Sequence, residues 1–243
     1  STAAIAGLTT TQIAALSTDQ AEALTTPQVA VLSSTQIAAL GTDDLETFST
    51  ADIAAISSSA ISGLSADTIA AFSTDQIAAL GTAGIAGLST AQIEALSTDQ
   101  LEALTTAQVG ALGSTQVAVL TTDDLEALST AQIAALSAAS VAGLSSAQVG
   151  ALSIEQVEVL STTQIAGLSS AGIAGLATDD LATFSTADIA AISSAAIQGL
   201  STDFIATLST AQIAGLGTAS IAGLSSVQVA ALSIEQVEAL STT

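Results

Sequence analysis

Carboxylates and hydroxyls are the only side chains in this sequence with the reactivity that catalysis or tight ion binding draws on. Asp and Glu number 22, while Lys, Arg, His, Cys, Tyr, Trp and Met are all absent. A nucleophile therefore has no imidazole or amine beside it to activate it. Paired carboxylates can hydrolyse glycosidic bonds, but only where a concave pocket gives the two acids different environments. The acids here recur along a uniform chain instead, so the expectation is a protein that is not an enzyme.

They are densest at Asp43, Asp44 and Glu46, again at Asp123, Asp124 and Glu126, and in reduced form at Asp179 and Asp180. Oxygen-only ligand sets suit calcium, which makes these eight residues the candidate cation ligands and calcium the one candidate cofactor. The spacing matches neither an EF-hand nor the glycine-rich nonapeptide of calcium-binding β-rolls. Ala182 also stands in the third copy where Glu46 and Glu126 stand in the others. The reading these acids favour is a solvated outer face with diffuse counter-ions. The glycines of the stretch 81–87 spell no phosphate loop and read as close packing of small residues.

Whatever positions these groups repeats every eight residues. Written in eights from Ser1, the chain gives thirty octads and a three-residue remainder, with no octad out of phase. Position 8 is Leu, Ile or Phe in all thirty, and position 5 is Ile, Val or Leu in all but one, Ala21. Position 1 is Ser or Thr in twenty-five octads, and position 4 is Gln in sixteen and Asp in five. Ser or Thr followed three residues later by Gln is a capping box: the hydroxyl accepts from the amide three residues on, and the Gln reaches back to the first amide. Ala, Leu, Gln and Glu then favour helix. Pro27, at position 3, falls in the first turn, where its missing N–H removes no helical bond.

One long helix is excluded by the period. Eight residues at about 100° each overshoot two turns by about 80°, so the apolar stripe would wind around the axis and no single face could be buried. The helix must break at each octad boundary. Ile and Leu at positions 5 and 8 share a helical face, which must point inward.

The substitution pattern gives the superhelical period. Acids at position 3 lie three octads apart (Asp19, Asp43, Asp67; Asp75, Asp99, Asp123), as do Gly63 and Gly87 or Gly143 and Gly167 at position 7. The expected fold is an all-α repeat, a solenoid of short capped helices, one per octapeptide, with about 3 to 3.5 octads (24–28 residues) per turn. Its rival is a triangular β-solenoid. The expected domain organisation is a single continuous array over residues 1–243, a piece of a longer one.

The net charge of −22 bounds the partners. Without a basic residue nothing neutralises phosphate, which argues against nucleic acid, and an anionic membrane surface repels the chain. No apolar run approaches the roughly 18–20 residues of a membrane span, so no membrane insertion is expected. The absence of cysteine fits an exported protein that does not depend on disulfides.

The octad Ser/Thr-Thr-x-Gln-Ile/Val-Ala-Ala-Leu resembles the repeats of very long secreted or surface-attached bacterial proteins of the adhesin-like or fibre-forming kind, and the resemblance covers the whole chain. It implies an extracellular or cell-surface location and a structural role, as a fibre or filament subunit or a rigid spacer of a surface protein. The partners to expect are further copies, joined end to end or laterally. The alternative is a repeat module that binds cations, or ice through hydroxyl ladders at position 2.

Overall fold

The computed structural model describes residues 1–61 and 63–240. Its elements follow the octads one for one. Among the described residues, twenty-nine short α-helices and one 3₁₀ helix, Ala196–Gly199, account for the thirty repeats. Among the described residues there is no strand, which removes the triangular β-solenoid. The capping boxes decide the matter locally, since each hydroxyl and amide at positions 1 and 4 is satisfied by starting a helix.

The octad 73–80 shows how. Ser73 sits in extended backbone at φ −66°, ψ 160°. Its Oγ accepts from the Gln76 amide at 3.2 Å, and Gln76 Oε1 accepts from the Ser73 amide at 2.9 Å. The helix Thr74–Ala79 follows and ends at Leu80, which returns to extended backbone at φ −59°, ψ 135°. Leu80 and the next residue, Gly81 at φ −64°, ψ 155°, are both extended. Two successive extended residues redirect the chain, so no left-handed residue is needed. Among the described residues none has positive φ, which is why a bulky Leu can hold the position where many helices end on glycine. Pro27 lies in the first turn of Thr26–Val29, as its chemistry requires.

The chain forms two compact units, Ser1–Leu112 and Gly113–Thr243, divided between octads. In the first unit each helix packs against the helix three octads further on: Thr2–Ala6 against Thr26–Val29, Thr10–Ile13 against Ser34–Ile37, and Thr50–Ala55 against Thr74–Ala79. The second unit repeats the rule, with Ser146–Gly150 against Ser170–Gly175 and that helix in turn against Ala196–Gly199. Equivalent residues of packed helices are thus 24 apart, inside the expected range. Positions 5 and 8 make the core. Ile53, Ile77, Val109 and Val149 at position 5 are fully buried, and Leu64, Leu80, Leu144 and Leu168 at position 8 nearly so.

Candidate functional site

Position 4 is where the polar groups of the repeat converge. Gln76, Gln100, Gln108 and Gln164 are only 5, 3, 2 and 2% exposed, although a capping residue alone has no reason to be buried. Their second polar atom explains it. Gln108 Nε2 donates to the carbonyls of Ile77, Ala78 and Leu80 at 3.1, 3.2 and 2.7 Å. Those carbonyls lie 31, 30 and 28 residues earlier, at positions 5, 6 and 8 of the octad four before. The last carbonyls of a short helix run out of amides four residues on, and among the described residues the only backbone amide that meets Ile77 O is that of Leu80, at 3.2 Å. A glutamine from the next turn of the coil supplies a donor to them.

The same bond recurs down each unit. In the first, Gln36 Nε2 reaches Leu8, Gln76 reaches Phe48, Gln92 reaches Leu64 and Gln100 reaches Phe72, at 2.8, 3.0, 2.9 and 2.6 Å. In the second, Gln148 reaches Leu120, Gln156 reaches Leu128 and Gln164 reaches Leu136, at 2.8, 2.6 and 2.9 Å. Near the C-terminus Gln228 reaches Leu200 and Gln236 reaches Leu208, at 2.8 and 2.7 Å. Every one of these spans 28 residues. Where position 4 is Ser220, its hydroxyl takes the equivalent carbonyl, donating to Ile192 O at 2.9 Å. Sequence reasoning identified the cap and missed this ladder. The signal was present: a capping box accepts Glu as readily as Gln, yet position 4 carries sixteen Gln and no Glu. Only Gln has a donor left over after capping.

The glycines at position 7 form a second ladder. A Cβ added at Gly63 would lie 2.0 Å from Ser34 O, and one at Gly143 would lie 2.3 Å from Ser114 O. Gly167 meets Ala138 O, Gly175 meets Ser146 O, Gly199 meets Ser170 O and Gly223 meets Ser194 O, at 2.4, 2.3, 2.1 and 2.3 Å. Each pair is 29 residues apart and joins position 7 to the backbone at position 2 three octads earlier. The three-octad lag at position 7 is this approach of backbones; in the stretch 81–87, for which close packing was expected, only Gly87 shares it, an added Cβ lying 3.2 Å from Ala83 O and 3.4 Å from Ser58 O. Gly84, by contrast, has only Leu80 Cβ nearby at 4.0 Å, and Gly81 meets nothing.

The acidic candidates fall into two environments. Asp43, Asp123 and Asp179 at position 3, and Glu46 and Glu126 at position 6, are exposed. Asp44, Asp124 and Asp180 occupy position 4 and take over the capping role: their Oδ2 atoms accept from the amides of Gly41, Thr121 and Ala177 at 3.0, 3.0 and 2.8 Å. The carboxylates are cap acceptors that cannot donate, so the Gln ladder is interrupted at these octads. Asp180 is the most enclosed, at 6% exposed. Among the described residues no three acidic side chains converge in an arrangement that could hold a metal ion. Glu155 and Glu235 have carboxyl groups below the usual Glu range, held there by their own backbone amides and by the hydroxyls of Ser153 and Ser233. Both are exposed first-turn residues of their helices, so the effect is a local one. Among the described residues no helix is long and apolar enough to cross a membrane.

The model of one repeat family, described as the ALTTAQ repeat, matches the chain in nine stretches that together cover residues 1–26, 37–154 and 173–242. No curated protein matches the chain.

Proposed function

Because this chain belongs to the ALTTAQ repeat family, we propose that it is a structural protein: an extracellular fibre or filament subunit, or a rigid spacer of a bacterial surface protein. The observation that carries the reading is the glutamine ladder. The polar side chains that recur in the repeat, the hydroxyl at position 1 and the amide at position 4, bond to the chain's own backbone, octad after octad. The polar side chains at the heart of the repeat hold one turn of the coil to the next. A uniform array of this kind gives length and stiffness by repetition. The absence of any basic residue, with a net charge of −22, supports a surface or secreted setting in which the chain remains dispersed until assembly is called for.

Electron microscopy of the purified polypeptide over a concentration series tests the role. Filaments or ordered bundles are expected as concentration rises. Short, dispersed monomers at the highest concentration would count against a fibre subunit.

A further inference from the structure

The acids are sorted among the stacked octads. In the first unit five helices stack in one column, each packed on the helix three octads before it: Thr10–Ile13, Ser34–Ile37, Ser58–Ile61, Thr82–Ala86 and Thr106–Gly110. Their octads, 9–16, 33–40, 57–64, 81–88 and 105–112, contain no Asp or Glu, so every acid of residues 1–112 lies outside this column. Thr35, Ser58, Thr82, Ala83, Thr106 and Ala107 are exposed along it. The second unit, taken by itself, has a column of the same kind. Ser146–Gly150, Ser170–Gly175, Ala196–Gly199 and Thr218–Gly223 stack in succession, and the octads 145–152, 169–176, 193–200 and 217–224 contain no acid.

A feature independent of charge marks the same two columns. Gly81 and Gly217 stand at position 1, where Ser or Thr stands in twenty-five octads, and they make no side-chain cap. Their backbone does not require glycine, with φ at −64 and −68° and ψ at 155 and 156°. Nor does space, since a Cβ added at either would meet nothing within 4 Å. The other two glycines at position 1, Gly41 and Gly113, do face a side chain: their amides donate to Asp44 Oδ2 and Gln116 Oε1 at 3.0 and 2.8 Å. Nothing within either unit accounts for the bare, exposed backbone at Gly81 and Gly217. A neighbour seated closely on the column does.

We propose that these uncharged columns are the lateral contact surface between two copies of this chain. This rests on the structural role proposed above and names the surface through which copies join. Charge selects the partner and the face together. A second copy brings the same −22 and no cation to pair with it, so contact through any acidic column sets carboxylate against carboxylate and strips water from both. Column against column brings hydroxyls, methyl groups and bare backbone together instead. A surface that pairs with its own kind does so about a two-fold axis.

The test compares two variants of the full chain that have equal net charge. Ala83→Asp, Ala107→Asp, Ala147→Asp and Ala171→Asp together place carboxylates on the uncharged columns. Ala51→Asp, Ala91→Asp, Ala187→Asp and Ala211→Asp place the same number in columns that already have acids. All eight alanines are exposed at position 3, where Asp75 and Asp99 stand in other octads, so circular dichroism should show unchanged helicity. Sedimentation equilibrium at pH 7 in about 1 M sodium chloride reads the association. Screening there acts within about 3 Å, which removes long-range repulsion but not the cost of burying a carboxylate in a contact. The wild type and the second variant are expected to associate within about threefold of each other, and the first variant at least tenfold more weakly. Equal weakening of both variants, or of neither, would overturn the columns and leave the fibre reading standing. Discrete pairs that the first variant abolishes and that grow no further would support the columns and remove the fibre subunit. A wild type that remains monomeric at every concentration would overturn both.

Discussion

Glutamine and glutamate are nearly interchangeable as the third residue of a capping box, and the chain distinguishes them completely at position 4. The discrimination comes from the buried half of the side chain. Gln108 lies 2% exposed with three carbonyls around its Nε2, so Gln108→Glu retains the cap, removes the donor and points a charge at three acceptors. Loss of a buried donor costs about 1–3 kcal/mol, and more where a charge is left behind. We expect Gln108→Glu to destabilise by about 3 kcal/mol or more. Gln12→Glu, at an exposed position where the side chain makes only its cap to Thr9 among the described residues, is expected to change stability by less than about 0.5 kcal/mol. Urea unfolding of both variants at low concentration is the comparison, and equal losses would mean that the glutamine acts as a cap alone.

At the scale of elements, helix ends and helix spacing have separate causes. The cap, the helix and its inward face were legible in single octads, because each is set by residues within eight of one another: Ser73 with Gln76, Ile77 with Leu80. The three-octad lag was legible because glycine at position 7 is used selectively, at Gly63 and Gly87 or Gly143 and Gly167, and so marks its neighbours. The 28-residue link was not. Glutamine occupies more than half of the octads, so no lag stands out, and a bond from the start of one helix to the end of another leaves no local signature. Glycine offers the matched test. Gly199→Ala would place Cβ 2.1 Å from the backbone oxygen of Ser170. It should destabilise by about 1–3 kcal/mol as the helices are forced apart. Gly84→Ala, inside the helix Thr82–Ala86 with only Leu80 Cβ at 4.0 Å, should stabilise by about 0.5–1 kcal/mol through helix propensity. Thermal unfolding reads both signs, and a stabilised Gly199→Ala would remove close backbone approach as the meaning of the glycine column.

For the molecule as a whole the governing quantity is charge. Twenty-two carboxylates have no basic side chain to pair with, so their repulsion keeps copies apart at neutral pH and is screened over about 8–10 Å near physiological ionic strength. As pH falls toward the ordinary carboxylate values of about 3.9–4.3, that repulsion fades. The helices depend little on the same protons, since Ser and Thr hydroxyls and Gln amides supply most caps. Carboxylates take that place at Asp44, Asp124 and Asp180, and two first-turn glutamates outside the caps carry a dependence of definite sign. Glu155 and Glu235 have folded values below the ordinary one, so their small contribution is present above about pH 4.3 and is lost as pH falls through the folded value. Assembly should therefore respond to acid before the fold does, and added calcium should act in the same direction by screening. The most direct measurement is light scattering recorded together with far-UV circular dichroism from pH 7 to pH 3. The expected result is scattering that rises as the carboxylates protonate while the helical minima near 208 and 222 nm persist. Scattering that stays flat, or that rises only once helicity is lost, would contradict a structural array whose intact helical octads assemble under the control of their charge.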